Sequence, residues 1–508
     1  MNQASSNAQR NADARLLADS NACYKAMQSH DARFDGRFFV AVRTTRIYCR
    51  PVCRVRLPKQ ENCRFYPSAA AAEDEGYRPC LRCRPELAPG WAAIDSASQL
   101  ARAAAHLIET GLAEGTDLST VAQKVGVSDR HLRRLFDTHF GVTPVAYAQT
   151  QRLLLAKRLL TDTALSVLQV AHAAGFGSVR RLNASMQSRY RMTPTELRGH
   201  SSRTRVIASG KRGDGSFEFR LPLRAPYDWP HLQAFFGSRA IEGLELTGKS
   251  DYKRVIAIDH GTNRYIGWLG AKVAGSKSSA PIMTLQVSPE LAPVLAQVLP
   301  LARNLFDLDL EPTSITTALG ELAQARPGLR LPGAVSGFEI AVRAVLGQQI
   351  TVKAARTLAA RFVQTFGERC EFAGQAHLSH AFPAPALIAQ ASAETIGKLG
   401  IIRRRVQTIQ TLATAIAQDE LDLSPGAPVE ATLAALKATP GIGDWTAQYI
   451  AMRALRWPDA FPAADYGVMK ALDVKTGAQA IKAAEAWRPW RAYAVMHLWA
   501  SLAQEKSK

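Results

Sequence analysis

The chain has 508 residues, which is too long for one domain and corresponds to about three or four at roughly 100–200 residues each. Apolar residues make up 47% of it, which excludes wholesale disorder, and seven cysteines are too few for a secreted disulfide scaffold. Lys and Arg total 63 against 43 Asp and Glu, and the net charge of +20 favours a polyanionic partner such as nucleic acid.

The sequence lacks the signals of a membrane or exported protein. No uninterrupted apolar run approaches the roughly 18 residues that a membrane-spanning helix needs. The N-terminal stretch MNQASSNAQRNADAR lacks the apolar core of a signal peptide. We therefore expect a cytoplasmic protein with no membrane partner.

Four cysteines in two close pairs mark the N-terminal region. Cys49 and Cys53 form the first pair, Cys80 and Cys83 form the second, and 26 residues separate the pairs. Two such pairs favour one tetrahedral Zn²⁺ site, because zinc prefers four convergent thiolates. The spacing leaves open whether the site only stabilises a fold. The other three cysteines have no partner at a useful spacing and are predicted to be small apolar residues: Cys23, Cys63 and Cys370.

The segments FFVAVRTTRIYCRPVCRVR and GYRPCLRCRPE, with both cysteine pairs, resemble the N-terminal domain of the Ada methylation-response family over roughly residues 20–90. The resemblance implies that Cys49 accepts a methyl group from a DNA methylphosphotriester, in a reaction that consumes it. A zinc-bound thiolate stays deprotonated at neutral pH and is a competent nucleophile. Methylation of one of four thiolates would change the site from −2 to −1 and reduce its repulsion of DNA phosphates.

Two basic helical hairpins follow the cysteine region. The segments DLSTVAQKVGVSDRHLRRLFDTHFGVTP and SVLQVAHAAGFGSVRRLNASMQSRYRMTP each contain a helix, a glycine turn, a serine cap and a second, basic helix. The pattern alone also fits solvated helix pairs. Residues 95–199 resemble the AraC-type DNA-binding domain, which implies that both second helices enter the major groove. The candidate DNA contacts on them are Arg130, Arg133, Arg134, Arg180 and Arg181.

Short alternating runs then indicate a β-rich region. After a polar, glycine- and serine-containing linker at 201–216, the runs FEFRLPL, KRVIAI, YIGWLG and PIMTLQV predict strands between turns. From about Pro332 the chain returns to amphipathic, alanine-rich helical patterns. We therefore predict an antiparallel sheet within residues 217–332 and an all-helical region over 333–508.

The segment LKATPGIGDWTAQYIAMRAL predicts a tight helical hairpin at Gly441 and Gly443, although many helical hairpins share this turn. It resembles the helix-hairpin-helix DNA glycosylases, together with FEIAVRAVLGQQIT and FPAADYGVMK, and most closely the AlkA-type 3-methyladenine glycosylase II. The match covers nearly 300 residues. The resemblance implies phosphate contacts at both glycines and an essential carboxylate at Asp465. It also places Gln349 where an apolar wedge is usual and Ala464 where the family often has an acid.

Three aromatic residues are candidates for the base pocket by motif position: Trp445, Tyr449 and Trp499. Their rings could select a cationic alkylated purine, although each also fits an ordinary core position. Bifunctional members of this superfamily carry a lysine nucleophile where this chain has Trp445. The resemblance therefore implies a monofunctional glycosylase with water as the acceptor.

These observations predict a multidomain α+β protein. We expect a four-cysteine zinc domain (1–92), an all-α double helix-turn-helix domain (93–200), a linker (201–216), an α/β N-terminal glycosylase domain with an antiparallel sheet (217–332) and an all-α helix-hairpin-helix glycosylase domain (333–508).

The predicted function combines methylphosphotriester sensing, transcription activation and release of alkylated purines such as 3-methyladenine, in the bacterial cytoplasm or nucleoid. The expected partners are alkylated and promoter double-stranded DNA and RNA polymerase. The alternative is a damage-responsive regulator whose C-terminal domain binds alkylated DNA without processing it.

Overall fold

The computed structural model describes residues 17, 19–89, 96–111, 117–204, 215–274 and 281–505. It divides into two compact units: Met1–Arg224 with Pro289–Pro300, called unit one, and Ala225–Ser288 with Leu301–Lys508, called unit two. Most of the predicted linker, from 205 to 214, lies outside the described residues, as do residues 1–16.

Unit one begins with a small sheet that carries the cysteine pairs. Its strands lie in the order β3-β1-β2-β4, with β1 antiparallel to β2 and β3, and β2 parallel to β4. Ser68 caps the helix that follows β3 by accepting a hydrogen bond from the Ala71 N–H at 3.0 Å. The elements are α1 Ser20–Gln28, β1 Phe39–Val42, β2 Ile47–Cys49, β3 Cys63–Tyr66, α2 Ala69–Asp74 and β4 Arg78–Pro79.

Within the described part of residues 96–204, helices form the two helix-turn-helix units that the sequence predicts. Both serine caps are present, since Ser128 Oγ accepts from the His131 N–H and Ser178 Oγ accepts from the Arg181 N–H. The first helix-turn-helix unit consists of α4 and α5, the second consists of α7 and α8, and α6 joins the two. The helices are α3 Ser96–Thr110, α4 Leu118–Lys124, α5 Asp129–Phe140, α6 Pro144–Asp162, α7 Val167–Ala173, α8 Val179–Tyr190 and α9 Pro194–Thr204.

The predicted β-rich region forms strands as expected. FEFRLPL contains β5 Phe217–Pro222, which belongs to unit one. The other three runs lie in an antiparallel sheet of unit two, in the order β9-β8-β7-β6. Val255 and Trp268 are opposite each other in the β7–β8 register and are both buried in the core of this unit. The strands are β6 Glu245–Thr247, β7 Asp251–His260, β8 Asn263–Ala274 and β9 Ile282–Val287.

Helices make up the rest of unit two. Their apolar faces bury one continuous core that includes Phe338, Ile409 and Ile450. No helix in the described part of the chain is both long enough and apolar enough to cross a membrane. The helices are α10 Trp229–Ser238, α11 Leu295–Leu305 (which begins in unit one), α12 Pro312–Leu319, α13 Glu321–Gln324, α14 Gly337–Leu346, α15 Val352–Phe366, α16 Pro385–Gln390, α17 Ala393–Gly397, α18 Arg403–Ala417, α19 Val429–Ala438, α20 Asp444–Arg453, α21 Tyr466–Ala471, α22 Gly477–Ala483 and α23 Arg491–Glu505.

Candidate metal centre and candidate active site

The two cysteine pairs converge in unit one, as the sequence predicts. The four sulfur atoms of Cys49, Cys53, Cys80 and Cys83 all lie within 4.8 Å of one another. Zn–S bonds of about 2.3 Å imply sulfurs about 3.8 Å apart in a tetrahedron, so the four thiols fit one Zn²⁺ after a small contraction. The pairing of β2 with β4 brings the pairs together, because the Cys80 N–H donates to the Tyr48 carbonyl at 2.9 Å. The chain therefore has one four-cysteine zinc site.

An arginine that the sequence analysis did not single out holds the turn beside this site. The Arg50 backbone N–H donates to Cys83 Sγ at 3.4 Å, and its guanidinium donates to the Cys83 carbonyl at 3.2 Å. Arg50 Nε also donates to the buried Asp35 carboxylate at 2.8 Å. The guanidinium places a positive charge beside the thiolates and orients the second cysteine pair. Asp35 lies outside the cysteine motif in the sequence, so the motif does not reveal this contact.

Burial raises the thiol pKa of each of the other three cysteines. Burial, with the nearby Asp19 carboxylate, raises the pKa of Cys23 to about 12. Burial also raises the pKa of Cys63 and of Cys370 to about 11. All three stay protonated at neutral pH, which agrees with the prediction that they are ordinary small apolar residues.

The arginines predicted to contact DNA lie on the second helix of each helix-turn-helix unit and are exposed there. Helix α5 carries three of them and helix α8 carries two: Arg130, Arg133, Arg134, Arg180 and Arg181. Serine caps begin both helices, so the arginines lie in their first two turns, where recognition helices contact base edges and phosphates.

Asp465 of unit two is held by three N–H groups. Its Oδ1 accepts from the Val468 backbone N–H at 3.0 Å, so the side chain caps α21. The same oxygen accepts from Trp499 Nε1 at 2.9 Å, and Oδ2 accepts from Trp445 Nε1 at 2.9 Å. The half-buried carboxylate therefore points in one fixed direction.

The three predicted pocket aromatics meet beside this carboxylate. Trp445 and Tyr449 are stacked, with ring centroids 5.5 Å apart and an interplanar angle of 12°. Trp499 lies 6.5 Å from the Tyr449 ring. All three are half-buried, unlike fully enclosed core aromatics. They form an aromatic wall with a carboxylate at its edge. The sequence indicated the wall but not the two indole hydrogen bonds to Asp465.

Gly467 makes room for the Asp465 carboxylate, a role that the sequence alone does not indicate. A Cβ at this position would lie 3.1 Å from Asp465 Oδ1 and 3.1 Å from Trp499 Cδ1. Contacts this short force a neighbour to move. The only sequence signal is the Asp-Tyr-Gly order at 465–467, which does not reveal the indole packed against it.

A buried arginine fixes the far end of Tyr449. Arg453 Nη1 donates to the phenol oxygen at 2.8 Å, and its other nitrogens donate to the carbonyls of Pro332 and Gly333 at 2.6 and 3.0 Å. Burial opposes ionisation of Tyr449. The guanidiniums of Arg453, Arg239 and Arg343 outweigh burial, so the pKa of this phenol is lowered.

The hairpin between α19 and α20 matches the predicted turn. Gly441 has φ 93°, and a Cβ there would lie 2.1 Å from Thr408 Oγ1, so only glycine fits. Gly443 is exposed and begins α20. Gln348 Nε2 donates to the Gly441 carbonyl at 2.9 Å, which ties the hairpin to the loop that exposes Gln349.

Known sequence families match four stretches of the chain: the metal binding domain of Ada at residues 22–86, a helix-turn-helix domain at 121–200, the AlkA N-terminal domain at 218–336, and the HhH-GPD superfamily of base excision DNA repair proteins at 342–488.

Curated relatives cover the whole chain or parts of it. A Mycobacterium tuberculosis protein described as a probable bifunctional transcriptional activator/DNA repair enzyme AlkA is 37% identical over 95% of this chain and 97% of its own length. DNA-3-methyladenine glycosylase 2 of Escherichia coli is 35% identical over 55% of this chain and 96% of its own length. The Escherichia coli bifunctional transcriptional activator/DNA repair enzyme Ada is 39% identical over 27% of this chain and 36% of its own length.

Proposed function

This chain belongs to the family of bifunctional transcriptional activators and DNA repair enzymes that join Ada-type and AlkA-type domains, and we propose a separate task for each part. The zinc domain takes a methyl group from DNA methylphosphotriesters onto Cys49. The helix-turn-helix units carry the resulting signal to promoter DNA. The glycosylase part releases alkylated purines such as 3-methyladenine. The observation that carries the enzymatic part is the Asp465 carboxylate, fixed by two indole N–H groups beside a stacked aromatic wall.

Base release follows from the chemistry of that wall. A damaged nucleotide flipped out of the duplex brings its purine against the rings of Trp445 and Tyr449. A cationic alkylated purine is attracted to the electron-rich ring faces. As the bond from C1′ to the base nitrogen breaks, the Asp465 carboxylate stabilises positive charge on the sugar, and water completes the substitution. The phosphate backbone is held by the amides at Gly441 and Gly443, and exposed Gln349 fills the space that the base leaves.

Methyl transfer at the zinc site is a single displacement. Zinc, when bound by the four cysteines, keeps their sulfurs as thiolates at neutral pH. The Cys49 sulfur attacks the methyl carbon, a C–S bond forms, and the C–O bond to the triester breaks. The products are a thioether and a phosphodiester anion. Exposed basic residues near the site attract the DNA backbone, and loss of one negative charge at the thiolates strengthens that attraction.

The partners follow from these two reactions. Alkylated duplex DNA is the substrate of both the sensor and the glycosylase, and promoter DNA is the target of the exposed arginines on α5 and α8. An activator bound at a promoter is expected to contact RNA polymerase, on the nucleoid of the bacterial cytoplasm.

Release of free base from methylated duplex DNA by the purified protein tests the enzymatic part. We expect wild-type protein to release 3-methyladenine, and Asp465→Asn to lower the rate by at least about 100-fold, since one catalytic electrostatic contact contributes that much. DNA affinity should change little, because Asn keeps the shape of the side chain. If the wild-type protein releases no base, the C-terminal part only binds alkylated DNA and the protein is a damage-responsive regulator. Unchanged release by the variant would refute the role of Asp465.

A further inference from the structure

The short helix α2 of the zinc domain contacts the end of the first recognition helix. Ser68, which caps α2, donates its hydroxyl proton to the carbonyl of Phe140, the last residue of α5, at 2.6 Å. The next residue, Gly141, packs closely on α2, since a Cβ there would lie 3.4 Å from Ala71 Cβ. The N-terminal end of α2 is therefore fixed to the C-terminal end of α5.

The other end of α2 contacts the second recognition helix. The Tyr190 hydroxyl donates to Glu73 Oε1 at 3.2 Å, and Arg189 Nη1 donates to the Glu73 carbonyl at 2.8 Å. Tyr190 and Arg189 are the last two residues of α8. One helix of six residues thus contacts the same end of both recognition helices.

The Glu73 carboxylate also reaches the strand that carries the methyl acceptor. The Tyr48 hydroxyl donates to Glu73 Oε1 at 2.9 Å, and Tyr48 directly precedes Cys49 in β2. Thr150 of α6 donates to Glu73 Oε2 at 3.3 Å. Glu73 and its three hydroxyl partners are at most 2% exposed: Tyr48, Thr150 and Tyr190. A buried carboxylate is tolerated only when hydrogen bonds surround it, so this cluster accepts few alternative arrangements.

A second polar contact fixes the zinc domain to α6 on the side of the other cysteine pair. Arg84, which directly follows Cys83, donates to Asp162 at 2.7 Å and to the Thr161 hydroxyl at 2.8 Å. Lys157 donates to the buried Glu86 carboxylate. Both cysteine pairs are therefore next to residues that hold the helix joining the two helix-turn-helix units.

We propose that α2 is a brace that fixes the spacing of the two recognition helices relative to each other and to the Cys49 strand, so that unit one reads promoter DNA as one rigid body. This inference rests on the proposed regulatory function, because it concerns how the same region binds its promoter. Glu73 and Ser68 are positioning residues here, since they act through the ends of α5 and α8.

A rigid body of this kind requires a fixed distance between the two DNA half-sites. Paired helix-turn-helix units read half-sites about one helical turn apart, roughly 10–10.5 base pairs. When the brace holds the spacing, a duplex with displaced half-sites engages one recognition helix at a time. When the contacts of the Glu73 side chain are lost, the connection between the two helix-turn-helix units depends mainly on α6, and displaced half-sites are tolerated better.

The test uses full-length, zinc-loaded, methylated protein. A random duplex pool is first selected with wild-type protein to define the two half-sites and their spacing. Duplexes are then built with the selected spacing and with two base pairs added or removed. Affinity is measured for wild type, Glu73→Ala, Glu73→Gln and Tyr190→Phe. The matched control is Asp74→Asn, which removes one exposed carboxylate from the same helix. Zinc content and melting temperature verify that each variant is folded.

We expect the altered spacing to weaken wild type and Asp74→Asn by about tenfold or more, the scale of one lost base-specific contact. For Glu73→Ala and Tyr190→Phe, the altered spacing should lower the affinity less than about threefold. Glu73→Gln keeps an acceptor oxygen and should therefore distinguish the two spacings nearly as well as wild type does. If Glu73→Ala and Tyr190→Phe both lose as much affinity for the altered spacing as wild type does, the proposal that α2 is a brace is refuted. The proposed regulatory function is unaffected by that result. If wild type selects no duplex from the pool, the regulatory function fails and the brace fails with it.

Discussion

At the scale of single residues, Gly467 leaves the space that the carboxylate of the proposed active site occupies. We expect Gly467→Ala to lower the rate of base release by about tenfold with little change in DNA affinity, because the added Cβ would sit 3.1 Å from Asp465 Oδ1 and displace the carboxylate. Single-turnover release of 3-methyladenine measures the effect. The control is Gly477→Ala, whose Cβ would meet its nearest neighbour at an ordinary 3.5 Å. Equal rates for the two variants would show that the carboxylate tolerates displacement.

We expect the glycosylase part to leave the DNA strand uncut, because Trp445 stands where bifunctional relatives of the superfamily carry a lysine nucleophile. Its indole nitrogen carries a proton that it donates to Asp465, so it offers no lone pair to attack the sugar. We expect no covalent complex when the protein and methylated duplex are treated with borohydride, although free base is released. A lysine-dependent glycosylase serves as the positive control. A trapped adduct would contradict monofunctional chemistry.

The sequence pointed to the candidate site residues but not to the residues that hold them in place. Cys49, Cys53, Cys80, Cys83 and Asp465 belong to local motifs, and spacing alone grouped the cysteines correctly. The supports act through space: Asp35 reaches the zinc site through Arg50, and Gly467 matters because of an indole on another helix. Such contacts depend on the packing of distant segments, which no local pattern encodes.

At the scale of elements, helix α20 begins with an acidic residue beside the proposed phosphate-binding hairpin. Asp444 is exposed in the first turn of this helix, where backbone N–H groups favour a phosphate, and it pairs with Lys437 at 2.5 Å. We expect Asp444→Asn to raise DNA affinity about threefold, because it removes a repulsive charge and frees Lys437. Titration at two salt concentrations measures the gain, which should shrink at high salt. Glu430→Gln, an exposed acid at the start of α19, should show a smaller gain. Equal gains would indicate a general charge effect.

Strands and recognition helices were predictable because their signals are local. Alternation of apolar residues marked β7, β8 and β9, and Ser128 and Ser178 marked the starts of α5 and α8. Strand order and register were not predictable, since they depend on which distant strands pair. The brace helix α2 was not predicted either, because six residues rich in alanine carry no periodicity.

On the scale of the whole molecule, the charge of +20 is distributed over several surfaces that are proposed to contact DNA. The five arginines of α5 and α8 are exposed in unit one, while the hairpin glycines and Gln349 lie in unit two. The five segments predicted from the sequence divide the chain more finely than these two compact units, and their boundaries are predictions.

At the same scale, we expect the buried carboxyl group of Glu73 to make the stability of unit one depend on pH. Burial raises the pKa of Glu73 to about 7, against the opposing effects of the Tyr48 hydroxyl and Arg189. Of the described groups that face it, burial keeps the pKa of Tyr48 and Tyr190 well above 10. Burial opposes the ionisation of Glu86, but Lys157 and Arg84 outweigh it and lower the pKa of this carboxyl. Glu73 is therefore the group of this cluster that changes charge near neutral pH.

The sign of the dependence follows from proton binding. An unfolded glutamate titrates near 4.5, so between pH 4.5 and 7 the folded state binds more protons at Glu73 and unit one loses stability as the pH rises. The full loss is on the order of 3 kcal/mol at about 1.4 kcal/mol for each pKa unit. We expect protection of the α8 amides, measured by hydrogen exchange in the full-length protein after correction for intrinsic rates, to fall between pH 5 and 7.5. Glu73→Gln should flatten this fall, whereas Asp74→Asn should leave it unchanged. A fall that persists in Glu73→Gln would assign the dependence to another group and remove Glu73 from this role.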